Sequence, residues 1–228
     1  MKKTAILAFC LITVAHTFSQ GLSNNGTQLR MVLDVASKPR LHEVRPEVDG
    51  SPYFSSEFCN ATFVVDGKPF PNVQAMLNME KNQVTFKNEN NEEVLATSPI
   101  SRIEFTNCGG AIFESGFPAI DHQNGNTYYR VLSKGNKAEL LRYTQFNLRD
   151  IITTGLANSS YTKALDRADF YYISISGKGL VKIERNNESV KAALSDQSAK
   201  IGAFIDGHHL KVKKDSDLVA VVDYYNSL

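Results

Sequence analysis

The sequence predicts an α+β fold: a mainly antiparallel β-sheet, arranged as a sandwich or a partly closed barrel, followed by a small C-terminal helical part. Three observations predict it. Between Tyr53 and Thr144 apolar and polar residues alternate in short runs, the period-two pattern of half-buried strands. Turn-forming pairs such as Asp66-Gly67, Lys81-Asn82 and Gly135-Asn136 separate those runs. After Arg185 the apolar period changes from two to that of a helix.

The chain opens with Met1-Lys2-Lys3, an apolar stretch from Ala5 to Ala15, and Thr17-Phe18-Ser19-Gln20. A basic start, an apolar core of about ten residues and small residues before the cut are what a secretory signal requires. Residues 1–19 are therefore read as a signal peptide, too short to span a bilayer, which takes about 20 apolar residues. Cleavage before Cys10 as a lipoprotein is rejected, because the apolar core would be too short and the bulky Phe9 stands where a small residue is needed. Residues 20–50 are polar and interrupted by Pro39, Pro46 and Gly50, an extended leader with one candidate strand at Gln28–Val35.

Residues 51–185 form the predicted β-rich domain. Cys59, Ala61, Phe63 and Val65 alternate with Asn60, Thr62 and Val64, and Val73, Ala75, Leu77 and Met79 repeat the pattern. Val84 with Phe86, and Ile103 with Phe105, continue it as a meander. Tyr128–Ser133 and Ala138–Tyr143 flank Gly135-Asn136, a pair that can adopt the positive φ of a tight hairpin turn. Gln145–Thr153 is read as helix-compatible and Asn158-Ser159-Ser160 as a loop. Phe170–Ser176 and Leu180–Arg185 form a second hairpin through Gly177-Lys178-Gly179.

Residues 186–228 are the helical segment. Val190, Ala193, Leu194, Ile201, Phe204, Ile205 and His208 fall on one stripe, as one helix or as two breaking near Asp196–Ser198, with Asn186 or Asn187 as cap. After an extended link at Leu210–Lys213, Asp215 or Ser216 caps a last helix with Leu218, Val222 and Tyr225 inward.

Losing Lys2 and Lys3 with the signal takes the 25 basic residues to 23, against 24 acidic ones. That balance argues against nucleic acid, which needs clustered positive charge. No second apolar run of spanning length follows, so no transmembrane segment is expected. Cys59 and Cys108 remain after Cys10 leaves. An exported chain with an even pair points to one disulfide, and two buried free thiols are the alternative.

The search for chemistry yields no catalytic set, no cofactor motif and no metal site. Gly-x-Ser-x-Gly is absent. His42-Glu43-Val44-Arg45-Pro46 starts like a zinc-protease motif, but Pro46 stands in place of the second His. His208-His209 are adjacent and do not face one side of a helix, and zinc needs three or four converging ligands. Asp121-His122 lies in a Pro-, Asn- and Gly-rich stretch and reads as a polar loop. Three tyrosine pairs carry a different signal. Neighbours on a strand point to opposite faces, so one Tyr of each pair can be exposed, and Tyr128, Tyr172 and Tyr224 are the candidate interface residues.

Gly50-Ser51-Pro52-Tyr53-Phe54, Asp66-Gly67-Lys68, Tyr129, Val131-Leu132, Gly135-Asn136 and Leu140-Leu141 precede a tail with Ile201, Leu210-Lys211, Asp217-Leu218 and Tyr224-Tyr225-Asn226. This pattern resembles a family of small exported proteins of unknown function from Bacteroidetes-type bacteria. The resemblance implies a periplasmic or outer-surface address and carries no functional residues.

Three functions are therefore weighed. The first is a non-enzymatic binding or assembly module of the cell envelope, partnered by another envelope protein. The second is a β-fold whose pocket holds a small apolar ligand. The third is a hydrolase with an unrecognised site, centred on Asp121 and His122.

Overall fold

The computed structural model describes residues 48–97, 100–154 and 159–228. The signal segment, the candidate strand at Gln28–Val35 and Asn158 lie outside the described residues.

Eleven strands are described. They are β1 (Val48–Asp49), β2 (Cys59–Val65), β3 (Lys68–Asn78), β4 (Gln83–Lys87), β5 (Glu93–Leu95), β6 (Arg102–Phe105), β7 (Ile112–Glu114), β8 (Tyr129–Lys134), β9 (Ala138–Thr154), β10 (Ser159–Ile175) and β11 (Gly179–Ile183). Helices α1 (Asn187–Ala193), α2 (Ser198–Gly207) and α3 (Asp215–Ser227) follow, with a 3₁₀ turn at Ser195–Gln197.

The strands make one open sheet in the order β1-β10-β9-β8-β7-β6-β2-β3-β4-β5, with β11 also on β10. The expected sandwich is not formed, and the sheet does not close into a barrel. The C-terminal helices pack on the β8, β9 and β11 part of the sheet. Curvature brings Asn82, in the β3–β4 turn, to Tyr128 just before β8: Tyr128 N donates to Asn82 Oδ1 at 2.8 Å, and Asn82 Nδ2 donates to Asn126 O at 2.7 Å. All ladders are antiparallel except β1 on β10, where Val48 pairs with Lys163.

Directly opposed residues share a face of the sheet. One row runs Phe63, Ile103, Phe113, Arg130, Arg142, Tyr171, Ile183 across seven strands. At its first end Phe63, Ile103 and Phe113 belong to a core with Leu77, Phe86 and Phe105. The rings pack edge-on or offset: Phe63 lies 6.0 Å from Phe86, and Phe54 lies 5.1 Å from Phe105. At the other end Tyr171 and Ile183 pack with Val190, Leu194, Ile201, Ile205, Leu218 and Val222 of the helices. The opposite face carries a smaller cluster of Tyr129, Leu141 and Tyr172, covered by Phe117 and Ile120.

A disulfide joins Cys59 at the start of β2 to Cys108 beyond β6, with Cα atoms 6.0 Å apart. The helical stripe breaks after α1, and Asn186 is the cap, its Oδ1 accepting from Ser189 N at 2.8 Å. Two local readings are corrected. Gln145–Thr153 is strand, and Ser159 and Ser160 open β10; together they extend the β9–β10 hairpin to seventeen paired positions. Gly135 is not among the residues with positive φ. Its need for glycine comes from elsewhere: a Cβ there would lie 2.2 Å from Asn226 Cγ, at the end of α3.

Candidate functional site

β8 is shorter than its neighbour. It pairs with β9 as far as Arg130 with Arg142, and from Tyr143 onward the described ladder of β9 is with β10 alone. The distal part of the hairpin therefore projects as a two-stranded arm, joined on its β10 edge by β1. The sequence of the arm keeps it extended: Phe146, Ile151, Ile152 and Thr162 are β-branched or aromatic, and Arg149 binds Asp166 across the strands with Nε–Oδ2 at 2.6 Å and Nη2–Oδ1 at 3.2 Å.

Phe146, Leu148, Asp150 and Ile152 point to one face of the arm, opposed by Arg167, Leu165, Lys163 and Tyr161 in the register. Leu148 is 49% exposed and Ile152 65% exposed, the large exposed hydrophobics among the described residues. They stand on a strand whose second edge has no ladder beyond Tyr143 among the described residues. Exposed apolar groups beside open backbone donors and acceptors are the features that invite another strand.

At the root of the arm the row of opposed residues turns from apolar to charged. Arg130 and Arg142 are direct cross-strand partners, an arrangement that is unfavourable unless acids intervene. Asp215, first residue of α3, intervenes. Its Oδ2 accepts from Arg142 Nη1 at 2.8 Å, and its Oδ1 accepts from Tyr171 OH at 2.8 Å and Arg185 Nη2 at 3.0 Å. Asp215 thus pins the start of α3 to β9, β10 and the second residue after β11. Asp169 adds Thr144 Oγ1 at 2.7 Å and Arg167 Nε at 3.1 Å. Burial opposes ionisation of Asp169, but the bonds from Thr144 and Arg167 prevail and hold its pKa below the usual carboxylate value. Arg130, half-buried beside Arg142 and Arg167, lies over the Phe54 ring at 5.8 Å.

The sequence-selected residues lie apart from one another. Tyr128 is half-buried; its hydroxyl accepts from Ile100 N at 3.0 Å and burial pushes its pKa up to about 12. Tyr172 is fully buried, so its ring has no surface to offer a partner. Its hydroxyl donates to Asp121 Oδ2 at 3.1 Å. Tyr171 is buried as well, because this stretch of sheet is covered on both faces. Tyr224 is half-buried and stacks on Phe204 at 4.1 Å. Leu148 and Ile152 were missed, since a helical reading of Gln145–Thr153 puts these two, four residues apart, on one apolar stripe that packs inward.

The Asp121 carboxylate is taken by Lys182 Nζ at 2.7 Å as well as by Tyr172, and the Lys182 bond first, then the Tyr172 bond, lowers its pKa. A catalytic Asp would instead orient the neighbouring His122. His208 Nδ1 lies 3.0 Å from Phe204 O with its ring against Phe204, while His209 sits in the left-handed region at φ 52°. Among the described residues no three of His, Cys, Asp and Glu converge as metal ligands. Among them, too, no helix is long and apolar enough to cross a membrane. The interior of the first core is packed with side chains, among them Phe63, Phe86, Phe105 and Phe113, and a partly open cleft of about 370 Å³ is lined by polar groups of Asn82, Gln83 and Asn126 together with Val84, Leu95 and Ala96.

Comparison with protein-family models, with curated proteins and with solved structures returned no match.

Proposed function

We propose that this chain is an exported, non-enzymatic assembly module of the cell envelope, whose arm is the element that meets a partner. The observation that carries the reading is the pairing of a β9 edge that has no ladder past Arg142 among the described residues with exposed Leu148 and Ile152. A soluble chain that left both features uncovered would be prone to edge-to-edge association. The basic-apolar-small order of residues 1–20 supports export. The Cys59–Cys108 bond supports an oxidising compartment, where disulfides persist.

The test places a photo-reactive side chain at Ile152 in the chain as its own cell makes it. The expected result is a discrete adduct recovered with the envelope fraction. Absence of any adduct, or a chain held in the cytoplasm with residues 1–19 attached, overturns the proposal.

A further inference from the structure

Four guanidinium groups gather at the root of the arm, and among the described residues two carboxylates answer them. Arg130 and Arg142 are cross-strand partners, and Arg167 opposes Phe146, four residues further along β9 than Arg142, so all three stand on one face of the sheet. Arg185 joins them through Asp215. Both carboxylates are already engaged. Asp215 serves Arg142, Arg185 and Tyr171, while Asp169 serves Thr144 and both Nε and Nη2 of Arg167. Arg130 is left over. Among the described residues it forms no ion pair and no hydrogen bond, and its guanidinium lies over the Phe54 ring.

We propose that this hub binds a doubly charged oxyanion of the phosphate type, with Arg130 as the principal holding residue and Arg142 and Arg167 beside it. The site is independent of whatever meets the arm.

Charge, hydrogen bonding and order all favour such a ligand. The hub carries two positive charges in excess of its negative ones, which a dianion balances. It also carries more donors than acceptors: the Nε–H groups of Arg142 and Arg185 are buried with no acceptor among the described residues, a costly condition for a polar group. The fork of a guanidinium matches two oxygens on one centre, a match that a monatomic ion does not offer. Arg130 is also held in place beforehand. Phe54 beneath it packs against Phe105 at 5.1 Å and Phe113 at 5.0 Å, so the stem has little freedom left to lose on binding. Burial, then the charges of Arg142 and Arg167, hold the Arg130 pKa below the ordinary arginine value against the pull of Asp215 and Asp169. An anion beside Arg130 relieves that strain.

Free inorganic phosphate and a phosphomonoester on a lipid headgroup share this chemistry, and two arms of one experiment separate them. The disulfide-bonded chain is titrated calorimetrically with inorganic phosphate, at an ionic strength held constant with sodium chloride. Saturable binding of one phosphate per chain is expected, with a melting temperature that rises with phosphate and not with chloride. Arg130→Gln weakens binding by roughly tenfold or more. Its melting temperature without phosphate stays close to that of the native chain, because loss of the Phe54 contact is offset by relief from Arg142. Arg130→Lys keeps the charge and loses the fork, and binds between the two. Arg149→Gln, on the opposite face, binds as the native chain does. In the second arm, phosphatidylcholine vesicles with and without phosphatidic acid are floated with the chain. Capture by the acidic vesicles alone, abolished by Arg130→Gln in a chain indifferent to inorganic phosphate, assigns the lipid source. Binding in neither arm overturns the proposal. So does an equal response to chloride, or an Arg130→Gln chain that binds phosphate as tightly as the native one.

Discussion

The side-chain amide of Asn226 occupies the space in which any other residue at position 135 would carry its Cβ. The same amide binds the turn itself: Oδ1 accepts from Lys137 N at 3.1 Å and Ala138 N at 2.9 Å, and Nδ2 donates to Ala138 O at 2.9 Å. The end of the last helix is thereby locked to the β8–β9 turn. Gly135→Ala is expected to destabilise the fold by about 1–3 kcal/mol through overpacking. Asn226→Ala is expected to cost about 1–3 kcal/mol by leaving the partly buried Ala138 N–H and C=O groups unpaired. In urea unfolding the double variant should lose clearly less than the sum, because removing the amide also removes the clash. Additive losses would refute the coupling.

Asp215 collects Arg142, Arg185 and Tyr171 at the other end of the same helix. Asp215→Asn leaves the Arg130–Arg142 pair without its intervening charge. Because the carboxylate is partly exposed, the loss expected in chemical unfolding is about 1–3 kcal/mol rather than that of a fully buried pair. Faster amide exchange across α3 should accompany it; unchanged exchange there would show that Asp215 does not anchor the helix.

The Cys59–Cys108 bond closes a loop with a sequence separation of 49. By chain entropy it stabilises the fold by roughly 4 kcal/mol. Replacing both cysteines by Ala, or unfolding under reductant, should lower the melting temperature accordingly. A melting temperature indifferent to reductant would contradict the bond.

Tyr128 and Tyr129 are both pushed up to about 12 by burial, from an ordinary value near 10. A raised pKa in the folded state means that the unfolded chain releases these protons first. The stability they contribute is full below about pH 10 and is lost as pH rises through about 12. Ultraviolet titration should find these phenols ionising well after the exposed ones, and stability falling across that interval. Ionisation near pH 10 in the folded protein would exclude the buried placement.

Asp121 behaves in the opposite sense. Lys182 and then Tyr172 lower its pKa, so the contact contributes above the usual carboxylate range and is lost as pH falls through the depressed folded value. The stability gap between the native chain and Asp121→Asn should therefore close in acid. A gap independent of pH would assign the effect to packing instead of charge.

Much of the sheet could be read from spacing. Cys59, Ala61, Phe63 and Val65 are all buried while Asn60 is exposed, as their alternation requires. Leu218, Val222 and Tyr225 face inward on α3 at helical intervals. The arm was illegible for a physical reason. Both of its faces meet solvent, so no burial imposes an alternating pattern, and Asn147, Leu148, Arg149 and Asp150 suit a helix as well as a strand. The tyrosine pairs misled at Tyr171-Tyr172 because the rule of one face in and one face out fails where helices and a loop cover both sides. The Arg130–Arg142–Asp215 hub joins residues up to 85 positions apart in the numbering, and only the strand register brings them together.

β9 runs without interruption from the packed body into the arm, seventeen residues in a single strand. Tension applied at the tip would therefore travel along covalent backbone to Arg142 and Leu140 instead of dissipating at a hinge. There it would load the β8–β9 hydrogen bonds in shear, with Asp215 and Asn226 bracing the two ends of α3 against the same strands. The molecule is constructed as a lever fixed at its base, and a partner held by the tip would be held at a defined angle to the body.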